Sequence, residues 1–181
     1  AIVGSNGNNT IVNDGGFITG SIQLTNGSNK LTNQNNGWIL AGTTMQFANE
    51  PTRMMRSVPQ IGSIVNDANW SIGGVDEISS TYMVGDFKQT ENGKFFLDYN
   101  VDRGTSNINA SMFSSTNSNL GSFDTMQVNG TADIAGEVNI NVMNAGLLMP
   151  GEFDLNFITA NSVNLSGDLR LVFLSSSISR Y

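Results

Sequence analysis

The run Asp124-Thr125-Met126-Gln127-Val128-Asn129-Gly130-Thr131-Ala132-Asp133-Ile134-Ala135-Gly136-Glu137-Val138-Asn139-Ile140-Asn141-Val142 decides how this chain folds. Apolar residues fall on alternate positions, Met126 and Val128, then Val138, Ile140 and Val142, and the pattern returns in Phe153, Leu155 and Phe157 and in Leu169, Leu171 and Phe173. Successive side chains on a strand point to opposite sides, so this spacing predicts short strands with one buried face. Asn129-Gly130, Ala135-Gly136, Pro150-Gly151 and Ser166-Gly167 separate the runs, and glycine supplies the positive backbone dihedral that tight corners need. The expectation is a succession of short strands with polar corners.

Upstream the same unit recurs. Phe17-Ile18-Thr19-Gly20-Ser21-Ile22-Gln23-Leu24, Lys30-Leu31-Thr32-Asn33 and Trp38-Ile39-Leu40-Ala41 each read as one strand beside a Gly- or Asn-rich corner, and Ile64-Val65-Asn66-Asp67 repeats Ile11-Val12-Asn13-Asp14. Imperfect repetition at roughly 20-residue spacing is what a solenoid shows, because each coil buries its face against its neighbours. Glu91-Asn92-Gly93, between the strand-like runs 81–90 and 94–101, is a cue for a hairpin or a tight corner. No stretch reads as a long amphipathic helix.

Two segments break the period. Residues 47–59 carry two of the three prolines together with Arg53, Met54, Met55 and Arg56, and read as a projecting loop or short helix with Met54 and Met55 covering a core edge. The functional alternative makes those four residues a partner contact. Residues 102–121 are a polar Ser/Asn/Thr segment anchored by Ile108, Met112, Phe113 and Leu120, long enough to mark an insertion or an exposed tip.

Composition narrows the function. With 181 residues the chain is long enough for one well-buried core. A net charge of -7 with only eight scattered basic residues argues against nucleic acid as a partner. The charged fraction of 13% is about half the usual value, and Asn, Ser, Thr and Gly supply the polarity, as in secreted or surface structures. Cysteine is absent, so disulfides and thiolate metal sites are excluded and stability rests on packing and backbone hydrogen bonds. No run approaches the roughly 20 apolar residues of a membrane helix, and the chain reads as an excised or processed piece.

The absence of both His and Cys removes the Ser-His-Asp and Cys-His nucleophile arrangements. No Ser-x-x-Lys spacing accompanies Lys30, Lys88 or Lys94. Asp98, Asp102 and Arg103 are the residues a carboxylate-based polysaccharide lyase or hydrolase would use; the simpler reading is a solvated outer face with a strand-end ion pair. Gly73-Gly74-Val75-Asp76 lacks the third glycine of the calcium-binding nonapeptide and reads as a turn. Stacked Asn side chains at coil corners are expected to form hydrogen-bonded ladders. Trp38 and Trp70, among apolar neighbours, are expected in core or coil-end packing rather than on sugars.

Three strings carry a family resemblance. Gly85-Asp86-Phe87-Lys88-Gln89-Thr90-Glu91-Asn92-Gly93 with Lys94-Phe95-Phe96-Leu97-Asp98-Tyr99-Asn100, then Ser122-Phe123-Asp124-Thr125-Met126-Gln127-Val128-Asn129-Gly130-Thr131-Ala132 through Val138, then Leu148-Met149-Pro150-Gly151-Glu152-Phe153 through Ala160, resemble in order and spacing the C-terminal passenger region of monomeric type V autotransporters. Residues 16–22 and 31–42 look like that family's passenger repeats. Residues 102–121 are longer than the family's usual connection, and the family's membrane barrel does not follow in this sequence.

The resemblance implies an all-β fold, a right-handed single-stranded parallel β-helix with a C-terminal β-hairpin cap. Residues 1–80 would form coils with a projection at about 47–59, and residues 81–181 the C-terminal coils and autochaperone or cap region of one continuous solenoid. It implies a non-enzymatic stem without cofactor or metal, which promotes folding and outer-membrane translocation of the passenger and displays it at the bacterial cell surface. Partners would be the parent's own translocator barrel, the outer-membrane assembly machinery and a host surface ligand, with the chain itself monomeric. Folding and cap candidates are Phe95, Leu97, Met126, Val128, Val138, Ile140, Val142, Phe153, Leu155, Phe157, Leu169 and Leu171; residues near 85–101 and 161–173 are the candidate cap. The alternatives are an adhesin acting through the two projections, as in virulence-associated surface binding, and, behind it, a β-helical polysaccharide-degrading enzyme.

Overall fold

The computed structural model describes residues 1–4, 7–48, 62–101, 122–144 and 156–175. Among them there are strands and no helix: β1 (Ile2–Val3), β2 (Thr10–Asp14), β3 (Phe17–Gln23), β4 (Lys30–Gln34), β5 (Trp38–Gln46), β6 (Ser63–Asn66), β7 (Asn69–Ile72), β8 (Ser80–Val84), β9 (Asp86–Gln89), β10 (Lys94–Asn100), β11 (Ser122–Phe123), β12 (Thr125–Ile134), β13 (Glu137–Met143), β14 (Ile158–Leu165) and β15 (Arg170–Ser175). All are joined in one sheet.

Strand pairing follows three parallel ladders that the chain visits in a fixed order. The first runs β2, β4, β6, β9, then the second halves of β12 and β14. The second runs from the first halves of β3 and β5 through β7, β10 and β13 to β15. The third joins β1 to the second halves of β3 and β5, then β8 and the first halves of β12 and β14. Each circuit returns the chain beside its own previous strand, an all-β arrangement compatible with a β-helix or solenoid. We call one circuit a rung. β3 and β12 bend from one ladder to the next, with register shifts between Gly20 and Ile22 and between Val128 and Thr131.

Register places like residues over like. Ile18, Ile39, Trp70, Phe95 and Val138 form one column in the second ladder, and Ile11, Leu31, Ile64, Phe87 and Ala132 form another in the first. The repeated tetrapeptide is now explained, because Ile11 and Ile64 share a column, as do Asn13 and Asn66, with Leu31 and Asn33 between them. Trp70, Phe87 and Phe95 meet edge to face inside, with ring centroids 5.1 and 6.0 Å apart. Full burial of each such side chain contributes about 1.5–3 kcal/mol.

Glu91-Asn92-Gly93 is a corner and not a hairpin: β9 pairs with β6 and β12, while β10 pairs with β7 and β13. The hairpin cap expected from residues 85–101 and 161–173 is likewise not formed by the described residues, since β14 and β15 pair in parallel with β12 and β13. Antiparallel pairing among the described residues is confined to β10 with β11 and a bridge from Gly74 to Glu77. A turn sequence constrains its own dihedrals, and the direction of the strands beyond it is set by which neighbour they bury against.

Candidate site: the stacked core and its corners

Of the residues proposed from sequence as folding core, Phe95, Leu97, Met126, Val128, Val138, Ile140 and Val142 are buried. Phe157 and Leu169 are only partly buried against the same cluster, Phe157 lying 6.4 Å from the Phe95 ring. Leu171 departs from the expectation. It continues the Phe95–Val138 column but is 56% exposed, because no strand pairs with the far side of β15 among the described residues. Val163, Leu165 and Phe173 are exposed on the same last rung. Phe153 and Leu155, and the contact candidates Arg53, Met54, Met55 and Arg56, lie outside the described residues, as do Asp102 and Arg103.

The corner between the first and second ladders is filled by amides. Asn13 Nδ2 donates to Asn33 Oδ1 at 2.7 Å, Asn33 Nδ2 to Asn66 Oδ1 at 2.8 Å, and Asn66 Nδ2 to Gln89 Oε1 at 3.3 Å. Gln89 Nε2 ends the ladder on the carbonyls of Ala135 and Glu137. Each asparagine also satisfies a corner carbonyl, Asn13 that of Gly16, Asn33 that of Gly37 and Asn66 that of Ala68. A second amide contact, Asn9 to Asn29 at 2.8 Å, sits where the third ladder returns to the first. There the backbone packs on itself: a Cβ at Gly130 would lie 2.3 Å from the Gly85 carbonyl oxygen, and one at Gly85 2.6 Å from that of Gly62. Only glycine allows that approach.

The other corner is acidic. Asp124, 1% exposed, accepts the Ser79 amide at 2.7 Å on one oxygen and the Asp98 amide at 2.8 Å on the other. Asp98, 4% exposed, accepts the Glu77 amide at 3.1 Å and Asn141 Nδ2 at 2.6 Å, and Asn141 also reaches Asp76. Asp98 is therefore not on a solvated face. The turn before β8 covers it, and β10 loses its alternation there, with Leu97, Asp98 and Tyr99 all buried. Burial raises the Asp98 carboxyl above its ordinary value, against the hydrogen bonds from Asn141 and the Glu77 amide. Burial pushes Asp124 up to about 7, against its two amide donors and aided by the charges of Asp98 and Glu77. The arrangement cross-ties three rungs. Among the described residues no group of three or more His, Cys, Asp or Glu could hold a metal ion.

Trp70 lies in the core, with its Nε1 buried and lacking a hydrogen-bond acceptor. Trp38 does not: it points outward, half-buried, with its ring 6.2 Å from Phe17 and 4.9 Å from Phe96. Gly73-Gly74-Val75-Asp76 is a turn, with positive φ at Gly73 and Asp76. Sequence reasoning missed the Asp124 carboxylate; the signal was an acid placed at the entrance of an otherwise apolar alternation. No family model, no curated protein and no solved structure matches this chain.

Proposed function

We propose that this chain is the stem and autochaperone part of a secreted autotransporter passenger, a right-handed single-stranded parallel β-helix that holds and displays the passenger outside the outer membrane. The observation that carries the reading is the register itself: five rungs stack apolar columns without interruption from β2 to β13, and an amide ladder runs through the first four of them. A stack of this kind grows by adding a rung to a formed one, so a stable segment can template its neighbours. The aromatic cluster of Trp70, Phe87 and Phe95 gives rungs three and four the interactions to form such a segment. The strings from Gly85 to Asn100 and from Ser122 to Val138, which resemble the autotransporter passenger end, support the same reading.

The function proposed is mechanical and non-enzymatic, with the parent's translocator barrel and the outer-membrane assembly machinery as partners. The test is surface display of a full-length parent lacking residues 95–160. Loss of folded, protease-resistant passenger at the surface is expected; normal display of resistant passenger would contradict the autochaperone role.

A further inference from the structure

We propose that the outer side of the second ladder is a glycan-binding strip, on which Phe17, Trp38 and Phe96 stack the sugar faces of a hexuronate-bearing chain while Lys94 holds a carboxylate of that chain. The inference is independent of the stem reading, since it concerns what the outer surface binds and not how the stack forms. Register puts Phe17, Trp38, Asn69 and Lys94 in one column, and alternation with the neighbouring core column turns all four outward. Phe96 faces the same way two residues beyond Lys94. The three rings are continuous, Phe17 to Trp38 at 6.2 Å and Trp38 to Phe96 at 4.9 Å, and Phe17 is 65% exposed. β7 lies between β5 and β10, so the contact of Trp38 with Phe96 bridges it. Ser71 on β7 is accordingly buried although it stands in register with the outward Phe96. The rings are held in place by one another before any ligand arrives, which reduces the ordering cost of binding.

The chemistry of the strip selects the occupant. The face of an aromatic ring is electron-rich and attracts the weakly positive C–H groups on the face of a pyranose, whose hydroxyls project from its edge. Such a ligand needs rings flanked by a few polar groups. Asn69 spends its Nδ2 on the Asn36 and Gly37 carbonyls, which leaves Oδ1, among the described residues, to accept a hydroxyl. Charge narrows the sugar further. Lys94 is exposed and has no ion pair among the described residues. Glu137, next in the column, does not neutralise it, because one carboxylate oxygen takes Arg170 at 3.4 Å and the other Asn139 Nδ2 at 2.9 Å. An exposed cation beside stacked rings fits a ring that carries both a C–H face and a carboxylate, as a hexuronate does. A nucleic acid would also stack, but its phosphates would meet a single lysine on a chain of net charge -7.

The experiment titrates the intact chain with a β-1,4-linked glucuronate oligomer and with the matching cello-oligosaccharide, which differs only in bearing a hydroxymethyl group for each carboxylate. Of the two tryptophans Trp70 is fully buried, so a change in tryptophan fluorescence reports Trp38. Saturable binding of the glucuronate oligomer is expected, at least fivefold tighter than that of its neutral counterpart, with the difference shrinking as salt is raised. Lys94→Gln should remove the preference between the two oligomers. Phe17→Ala should weaken both at least threefold, and Lys88→Gln, at an exposed position on the first ladder, should change neither. All three positions are exposed, so far-UV circular dichroism should match that of the unaltered chain. Absence of saturable binding, equal affinity for the two oligomers, or unchanged binding by either Lys94→Gln or Phe17→Ala would overturn the proposal.

Discussion

At the residue scale, the amide ladder shows how a polar residue can be as deeply committed to a core as a leucine. Asn33 and Asn66 are fully buried, and each spends its donors on the next side chain and on a corner carbonyl, so no polar atom of the corner is left facing apolar neighbours. Replacing Asn33 with Ala takes the side-chain donor from Asn66 Oδ1 and from the Gly37 and Asn69 carbonyls, and the acceptor from Asn13. Each buried group left unpaired costs about 1–3 kcal/mol, so a loss of several kcal/mol is expected in urea unfolding of Asn33→Ala. By contrast, Asn36→Ala on the exposed side of the same corner removes no buried hydrogen bond and should cost only about 1 kcal/mol, the strain of alanine at the positive φ of 63° that asparagine tolerates. That asparagines would stack at corners was legible from their abundance and their place beside glycines. Which asparagines do so was legible only in the tetrapeptide repeat. The burial of Asp98 was not legible, since nothing local to β10 shows that a turn from the preceding rung folds over it.

At the element scale, alternation identified the strands and their inward residues, as in Val138, Ile140 and Val142 on β13. It failed at two kinds of place. Long strands such as β12 change ladder midway, and at the bend Asn129, Gly130 and Thr131 are all half-buried, so the period of two is interrupted without the strand ending. Corners were ambiguous as well, because Asn-Gly serves a parallel stack and an antiparallel hairpin equally. Burial depends on neighbouring rungs more than on the strand's own sequence: β13 and β15 carry similar alternation, yet the inward residues of β15 are exposed. The contrast gives a direct expectation. Phe95→Ala, in the middle of its column, should cost about 3–5 kcal/mol in a denaturant titration, by transfer and cavity terms together. Leu171→Ala, in the same column on the last described rung, should cost less than about 1 kcal/mol, in keeping with a large exposed fraction.

At the scale of the whole molecule, stability is the sum of rung-to-rung interfaces, and in a chain without cysteine no disulfide holds the ends together. The composition made that regime legible, since an Asn- and Gly-rich chain without cysteine has stacking as its main resource. The order in which the rungs pair was not, because residues 49–61 and 102–121 intervene in sequence between strands that lie side by side. The central claim is that successive rungs lie in a single parallel register. Adjacent strands are about 4.8 Å apart, within the Cα separation of about 4.4–6.8 Å that a disulfide spans, whereas strands two rungs apart are about twice as far and beyond it. Paired cysteines introduced into this cysteine-free chain at the outward positions Thr32 and Val65, or Val65 and Lys88, which are register partners, should therefore cross-link readily under mild oxidation. A pair at Thr32 and Lys88 should not; efficient cross-linking of that pair, with none between the register partners, would contradict the stack.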